Sequence, residues 1–438
     1  MLKHDFWTVA GCLALAMTVG ACSSDKDIPQ GKRISVLEQA SSVRPDVANG
    51  AELVKISVAE TNAKWWQNDN NAQHIIPHVN TGAKFEKQWS SSFGKGRSKR
   101  EILLAKPLIS AGVVYALDAE GMLSAYNIKD GENIWRMELF PENSNISDTA
   151  LKGAGLAMDG DVVYVTTGFG AVVAVKAKDG TKVWENNLKT PFRIAPVIAA
   201  GKVFVQSADN RFFALDAKNG EILWDYDTAM ENTTVVGGAS AAYCSALDVI
   251  VSGFSGGEIQ AFNASLGTPL WTDNAVSNRQ AYSSTFLHSI KASPVIEGEK
   301  VYVLGNADVL EALDIRSGNR LWEKEIGGIN TPLLSGNTLF VVSNNNDLLA
   351  VNKVNGDILW STSIELGGKA SEVTPFSPIL MNNQLIVALS NGRVNIYNPK
   401  NGNKISVTDL DEYLNSAPVV AEGYVVFVTA NAKLIAYK

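Results

Sequence analysis

Ala214-Leu215-Asp216-Ala217-Lys218-Asn219-Gly220-Glu221-Ile222-Leu223-Trp224 is the stretch that decides the fold. An apolar run enters a turn that ends on glycine, a residue that reaches positive φ without a Cβ clash, and a tryptophan follows in the next strand. The same glycine-to-tryptophan spacing recurs at Gly131/Trp135, Gly180/Trp184, Gly267/Trp271, Gly318/Trp322 and Gly356/Trp360. A further copy, Asn398-Pro399-Lys400-Asn401-Gly402, keeps the turn but carries Ser406 where the tryptophan belongs. Successive copies lie roughly 40–50 residues apart, the length of one propeller blade.

Outward from that turn, each copy begins with a small residue and proline and continues through short apolar runs, such as Val162-Val163-Tyr164-Val165 and Leu310-Glu311-Ala312-Leu313. Short β-branched runs separated by Gly, Asn or Asp predict tight antiparallel hairpins, four strands to a copy. The last copy starts at Ala417-Pro418-Val419-Val420, runs to Leu434-Ile435-Ala436-Tyr437-Lys438 and lacks its tryptophan strand, which stands instead at Phe85-Glu86-Lys87-Gln88-Trp89. The expected architecture is therefore all-β: an eight-bladed β-propeller of four-stranded antiparallel blades over residues 65–438, its last blade closed by the N-terminal strand. Trp89, Trp135, Trp184, Trp224, Trp271, Trp322 and Trp360 are expected to dock each blade on its neighbour, a structural role.

Of 438 residues, 46% are apolar and 19% charged, enough to bury a large core. A net charge of −7, from 38 Lys and Arg against 45 Asp and Glu, leaves no basic surplus for a phosphate backbone, so no nucleic acid is expected as partner. The N-terminus runs from Met1-Leu2-Lys3-His4 through an apolar stretch, Trp7 to Val19, to Val19-Gly20-Ala21-Cys22. Residues 1–21 read as a secretion signal. Residues 22–64, polar and broken by Pro29, Gly31, Pro45 and Gly50, read as a tether with some loosely packed structure. Three cysteines, Cys12, Cys22 and Cys244, make no disulfide framework, and Cys244 reads as a buried inert thiol.

The residues offer little chemistry. His74 and His78 have the spacing of zinc ligands on one helical face, but Pro77 lies between them and no glutamate follows His74. No CxxC pair, Gly-rich phosphate loop or G-x-S-x-G elbow occurs, and Asp118, Asp130, Asp179, Asp216 and Asp314 recur at turn positions, where Asp bonds local backbone. No catalytic residue, metal or cofactor is expected.

Two resemblances add to this reading. Small residues before Cys22 resemble the bacterial lipobox, which implies a palmitate-bearing Cys22 as the first mature residue, with Ser23 next to it implying the outer membrane; an ordinary signal cut after Ala21, leaving Cys22 free, is the alternative. The unit Ala-Leu-Asp-x-x-x-Gly-x-x-x-Trp, clearest at Trp224 and Trp322, resembles the tryptophan-docking repeat of the PQQ-type propellers from about residue 60 to the C-terminus. That family includes quinoprotein alcohol dehydrogenases and BamB, the lipoprotein of the outer-membrane β-barrel assembly machinery. Cys244 stands alone, without the adjacent-cysteine pair of the dehydrogenases, and Trp65-Trp66-Gln67-Asn68 through His74 look like BamB homologues.

That resemblance implies a non-enzymatic scaffold lipoprotein, held by its lipid to the periplasmic face of the outer membrane and assisting folding and insertion of outer-membrane proteins. Its partners would be the BamA-like periplasmic domains of the central assembly protein and other assembly lipoproteins, with this chain a monomer in the complex. A periplasmic PQQ-dependent dehydrogenase-like enzyme is the alternative. The family's docking loops correspond to Thr233-Thr234-Val235-Val236-Gly237 and His288-Ser289-Ile290-Lys291, where Gly237 replaces an arginine and Lys291 replaces acids. Val235, Val236, Arg279, Tyr282, Phe286, His288 and Lys291 are the expected partner-binding residues, loops on a rigid ring being where binding gathers.

Overall fold

A computed structural model describes residues 43–82, 85–98, 101–139, 152–228, 237–276 and 288–438. Eight four-stranded antiparallel sheets follow one another. Blade 1 comprises Leu108–Ser110, Val113–Leu117, Met122–Asn127 and Asn133–Glu138; blades 2 to 7 repeat the plan over 153–187, 197–227, 242–274, 295–324, 333–363 and 379–409. Blade 8 takes three strands from 419–437 and its outermost from Lys87–Ser92, with Trp89 opposite Ala436. The expected ring and its closing strand are both present. The chain Met122–Asn127 is buried along its length whereas Asn133–Glu138 alternates, because middle strands are covered on both faces and the outermost strand on one.

The ring is held at its seams. Each indole lies over the glycine turn of the next blade: a Cβ on Gly220, at φ 76°, would stand 2.4 Å from the Trp184 ring, so only glycine fits both the backbone and the contact. Trp184 Nε1 donates to the Ala217 carbonyl at 2.9 Å, and Trp89 Nε1 to Ile128 at 2.7 Å, which latches blade 8 to blade 1. Cutting back an aromatic ring packed this way costs about 3–5 kcal/mol. The turn aspartates act locally: Asp118 Oδ1 accepts from the backbone of Glu120 and Met122, and Asp314 Oδ1 from Arg316 and Ser317. Cys244 is buried, its Sγ 3.7 Å from the Gly298 carbonyl.

Residues 43–64, expected to belong to a tether, lie on the ring instead. Asp46 and Ile358 exchange backbone and side-chain hydrogen bonds, Val54 is buried, and Lys55 pairs with Asn337. From Ser57 onward the chain runs along the inner edges of the blades as a plug and bonds to every one. Trp65 exchanges backbone bonds with Ile109 of blade 1; the Trp66 carbonyl accepts from Met158 of blade 2; the Gln67 amide bonds both backbone groups of Ile198 in blade 3. Ala72 and Gln73 accept from Tyr243 and Ile296 of blades 4 and 5, Ser57 bonds Ser335 of blade 6, Val79 sits between Leu380 and Asn382 of blade 7, and Asn62 accepts from Glu422 of blade 8. First strands of neighbouring blades converge, and their free inner edges need these partners. His74 and His78 belong to the plug. His74 Nδ1 donates to Pro294 at 2.8 Å, and His78 bridges Ser57 and Asn383.

Candidate partner-binding face

The first strands enter the ring from one face, and the residues leading into them surround an open mouth of 340 Å³. Its composition follows the repeat. When the copies are aligned on the small-residue–proline step, the residue three before proline lines the mouth at Leu104, Arg193, Lys291, Ile329 and Asn415, and the residue just before proline does so at Lys106, Ala195, Ser293, Thr331, Ser377 and Ala417. Asn68 and Asp69 of the plug lie at its centre.

Asp69 is buried and is gripped by Lys106 Nζ at 2.5 Å and Thr331 Oγ1 at 2.7 Å. Burial opposes its ionisation, but the Lys106 charge, His74 and the two hydrogen bonds outweigh that and hold its pKa below the ordinary carboxylate value. Burial likewise lowers His74, whose Nε2 has no hydrogen-bond partner. Around this paired centre stand Arg97, Arg193 and Lys291, none of them ion-paired among the described residues. Burial without a counter-charge pushes the Lys291 ammonium below its usual pKa. A chain of net negative charge thus presents a mouth ringed by cations, with Ile194, Ile329 and Phe376 between them. The arrangement suits capture of carboxylates carried on a partly apolar segment.

Of the expected binding residues, Val235, Val236, Arg279, Tyr282 and Phe286 lie outside the described residues. The described flanks of their loops meet: Gly237 and Gly238 line the mouth with Lys291, and a crevice of 30 Å³ joins Arg193 and the same glycines to Ser289 and Ile290. His288 is half-buried beside Lys291, away from the mouth lining, with Nε2 lacking a hydrogen-bond partner. Arg97, Lys106, Arg193 and Asp69 were not expected. For Arg193 the signal was present, since it holds the same place before proline as Lys291. Among the described residues no cluster of three His, Cys, Asp or Glu side chains stands ready for a metal, and no helix is long and apolar enough to cross a membrane.

The family model described as outer membrane protein assembly factor BamB matches residues 119–362 and 329–438. Outer membrane protein assembly factor BamB of Yersinia pestis is 26% identical over 349 residues, spanning 79% of this chain and 87% of that protein. The Escherichia coli protein of the same name is 27% identical over 337 residues, 76% of this chain and 84% of that one. Among solved structures, BamB from Moraxella catarrhalis superposes with a TM-score of 0.63 at 20% identity, over 80% of this chain and 98% of that chain. Quinohemoprotein alcohol dehydrogenase from Comamonas testosteroni superposes at 0.66 with 13% identity, over 85% of this chain and 80% of that one, a likeness of fold.

Proposed function

The chain belongs to the outer membrane protein assembly factor BamB family, and from that membership we propose that it is a non-enzymatic accessory of outer-membrane protein assembly that docks on the periplasmic domains of the central assembly protein. The observation that carries this reading is a family match running through seven blades to the last residue. The docking face takes in the cationic mouth and residues 228–240 and 277–292, whose described flanks Gly237, Gly238 and Lys291 line that mouth, with Val235, Val236, Arg279, Tyr282, Phe286, His288 and Lys291 as contacts. Apolar anchors there would supply affinity and the ring of cations would set orientation. Cys22 carries the lipid that keeps the chain at the periplasmic face of the outer membrane, and residues 1–21 are removed as its signal.

The test is co-purification of the central assembly protein from detergent-solubilised envelopes with the parent chain and with Arg193→Glu/Lys291→Glu. Reversal of both charges should cut the recovered partner at least about tenfold while the melting temperature stays within a few degrees. Undiminished recovery would exclude the mouth as the docking face. Failure of the parent itself to bring down the assembly protein would remove the functional reading.

A further inference from the structure

Seven of the eight seams are filled in one way. A row of three residues in register crosses each of these blades: a ring or valine on the second strand, alanine on the third, tryptophan on the fourth. The row reads Tyr115, Ala125, Trp135 in blade 1 and Phe204, Ala214, Trp224 in blade 3. The alanine makes room for the indole, which lies across it toward the next blade. Blade 7 breaks the row, which reads Ile386, Ile396, Ser406.

The structure supplies the reason. In the other seams the indole covers a turn joining the third and fourth strands of the following blade, as Trp360 covers Gly402. In blade 8 those strands are Lys433–Tyr437 and Lys87–Ser92, from distant parts of the sequence, and no such turn connects them. In the space between blades 7 and 8 lies a cavity of 150 Å³, walled by Ile386 and Ile396 of blade 7 and by Gly423 and Val425 of blade 8, with Phe85, Lys438 and the polar Thr81, Asn382, Gln384 and Thr408 also lining it. Ile396 is half-buried there, while the alanines at its place in the other seven blades are fully buried. Phe85 stacks on Tyr437 at 4.4 Å and stands edge-on to Phe427, which gives the cavity an aromatic border. Lys438 Nζ lies 4.7 Å from the centre of the Tyr424 ring.

We propose that the seam between blades 7 and 8 is a binding socket for an aromatic side chain, an indole above all, presented by an extended segment of a partner protein. The occupant is identified by the molecule itself: this protein fills the corresponding space with an indole in every other seam. A cavity of about 150 Å³ walled mainly by apolar side chains, with Thr81, Asn382, Gln384 and Thr408 also on its wall, takes a benzene-sized ring such as the six-membered half of an indole, and the Lys438 ammonium can move over the face of a bound ring. The socket is independent of the docking face proposed above and of the assembly role.

The test uses the purified full chain and the amide of N-acetyl-fluorotryptophan, followed by fluorine NMR so that the protein's own tryptophans do not interfere. The parent should shift or broaden the probe signal saturably, and N-acetyl-leucinamide should not displace it. Ser406→Trp, which restores the indole of the row across Ile396 at the edge of the cavity, should weaken probe binding at least about tenfold and raise the melting temperature. Ile396→Ala restores the alanine of the other rows and should tighten binding several-fold. Absence of saturable binding to the parent, equal binding to Ser406→Trp, or competition by the leucine amide would each overturn the proposal. If Ser406→Trp does not fold, Ile396→Ala decides it, because unchanged or weaker binding there is also incompatible with the socket.

Discussion

Glu311 is a fully buried carboxyl on the third strand of blade 5. Arg320 Nε comes within 3.0 Å of it, but the guanidinium spends its hydrogen bonds on Asp273 and Glu323, and both Glu311 oxygens are left without one. Burial, reinforced by the Asp273 carboxylate and only partly offset by Arg320, raises its pKa to about 8. The unfolded chain releases this proton near the ordinary glutamate value, whereas the folded chain keeps it. The contribution of this carboxyl to stability is therefore full in mild acid and is lost as pH rises from about 4.5 to about 8. Denaturant melts at about pH 5 and pH 8.5 should show a loss on the order of 4 kcal/mol from this carboxyl in the parent, and Glu311→Gln should remove that part of the difference. An identical slope in the variant would mean the carboxyl is ionised in the folded protein. The tryptophans were legible one by one in the sequence because spacing marks them. The loss of one at Ser406 was equally visible, but its cause was not, since it depends on which strand of blade 8 is missing from the turn.

The plug was the element least legible in the sequence. Residues 65–79 show no apolar–polar alternation in the sequence although alternate side chains are buried, because several of the buried places are held by hydrogen-bonding Gln67, Asp69, His74 and His78 and the segment's partners are spread over six separate sheets. The blades, by contrast, were legible down to their strands, each pairing with its neighbour in sequence and repeating its turn chemistry. What fastens the plug at its centre is the Asp69–Lys106–Thr331 group. Asp69→Ala leaves the Lys106 charge facing a desolvated pocket and the Thr331 hydroxyl without its acceptor. We expect a loss of about 3 kcal/mol in urea denaturation at neutral pH, part of it recovered when Lys106→Met is added. Because the folded pKa of Asp69 is depressed, its contribution is complete at neutral pH and is lost only as pH falls below the ordinary carboxylate range through that lower value. A cost under about 1 kcal/mol would show that the plug is held elsewhere.

At the scale of the whole molecule, blade number and closure were readable because both are counts along the sequence, whereas the mouth was not, since it arises only when equivalent positions of different copies are brought around one axis. The proposed anchor belongs to this scale too. Cys22→Ala should move the protein from the membrane to the soluble fraction of lysed cells when its assembly partner is absent, and labelled palmitate should enter the parent but not the variant; one acyl chain binds only weakly, so retention needs more than one. Persistence of the variant on membranes would refute a lipid anchor at that residue. The closing strand has a consequence in time as well as in space. Lys87 finds its neighbour only at Tyr437, so the strand made near the start of synthesis waits for nearly the whole chain before it has anything to pair with. A ring closed this way has high contact order: it gains its last seam late and all at once, and until then offers unpaired strand edges to any other chain nearby. Molecules whose ring is still open are therefore the form most exposed to pairing with other chains.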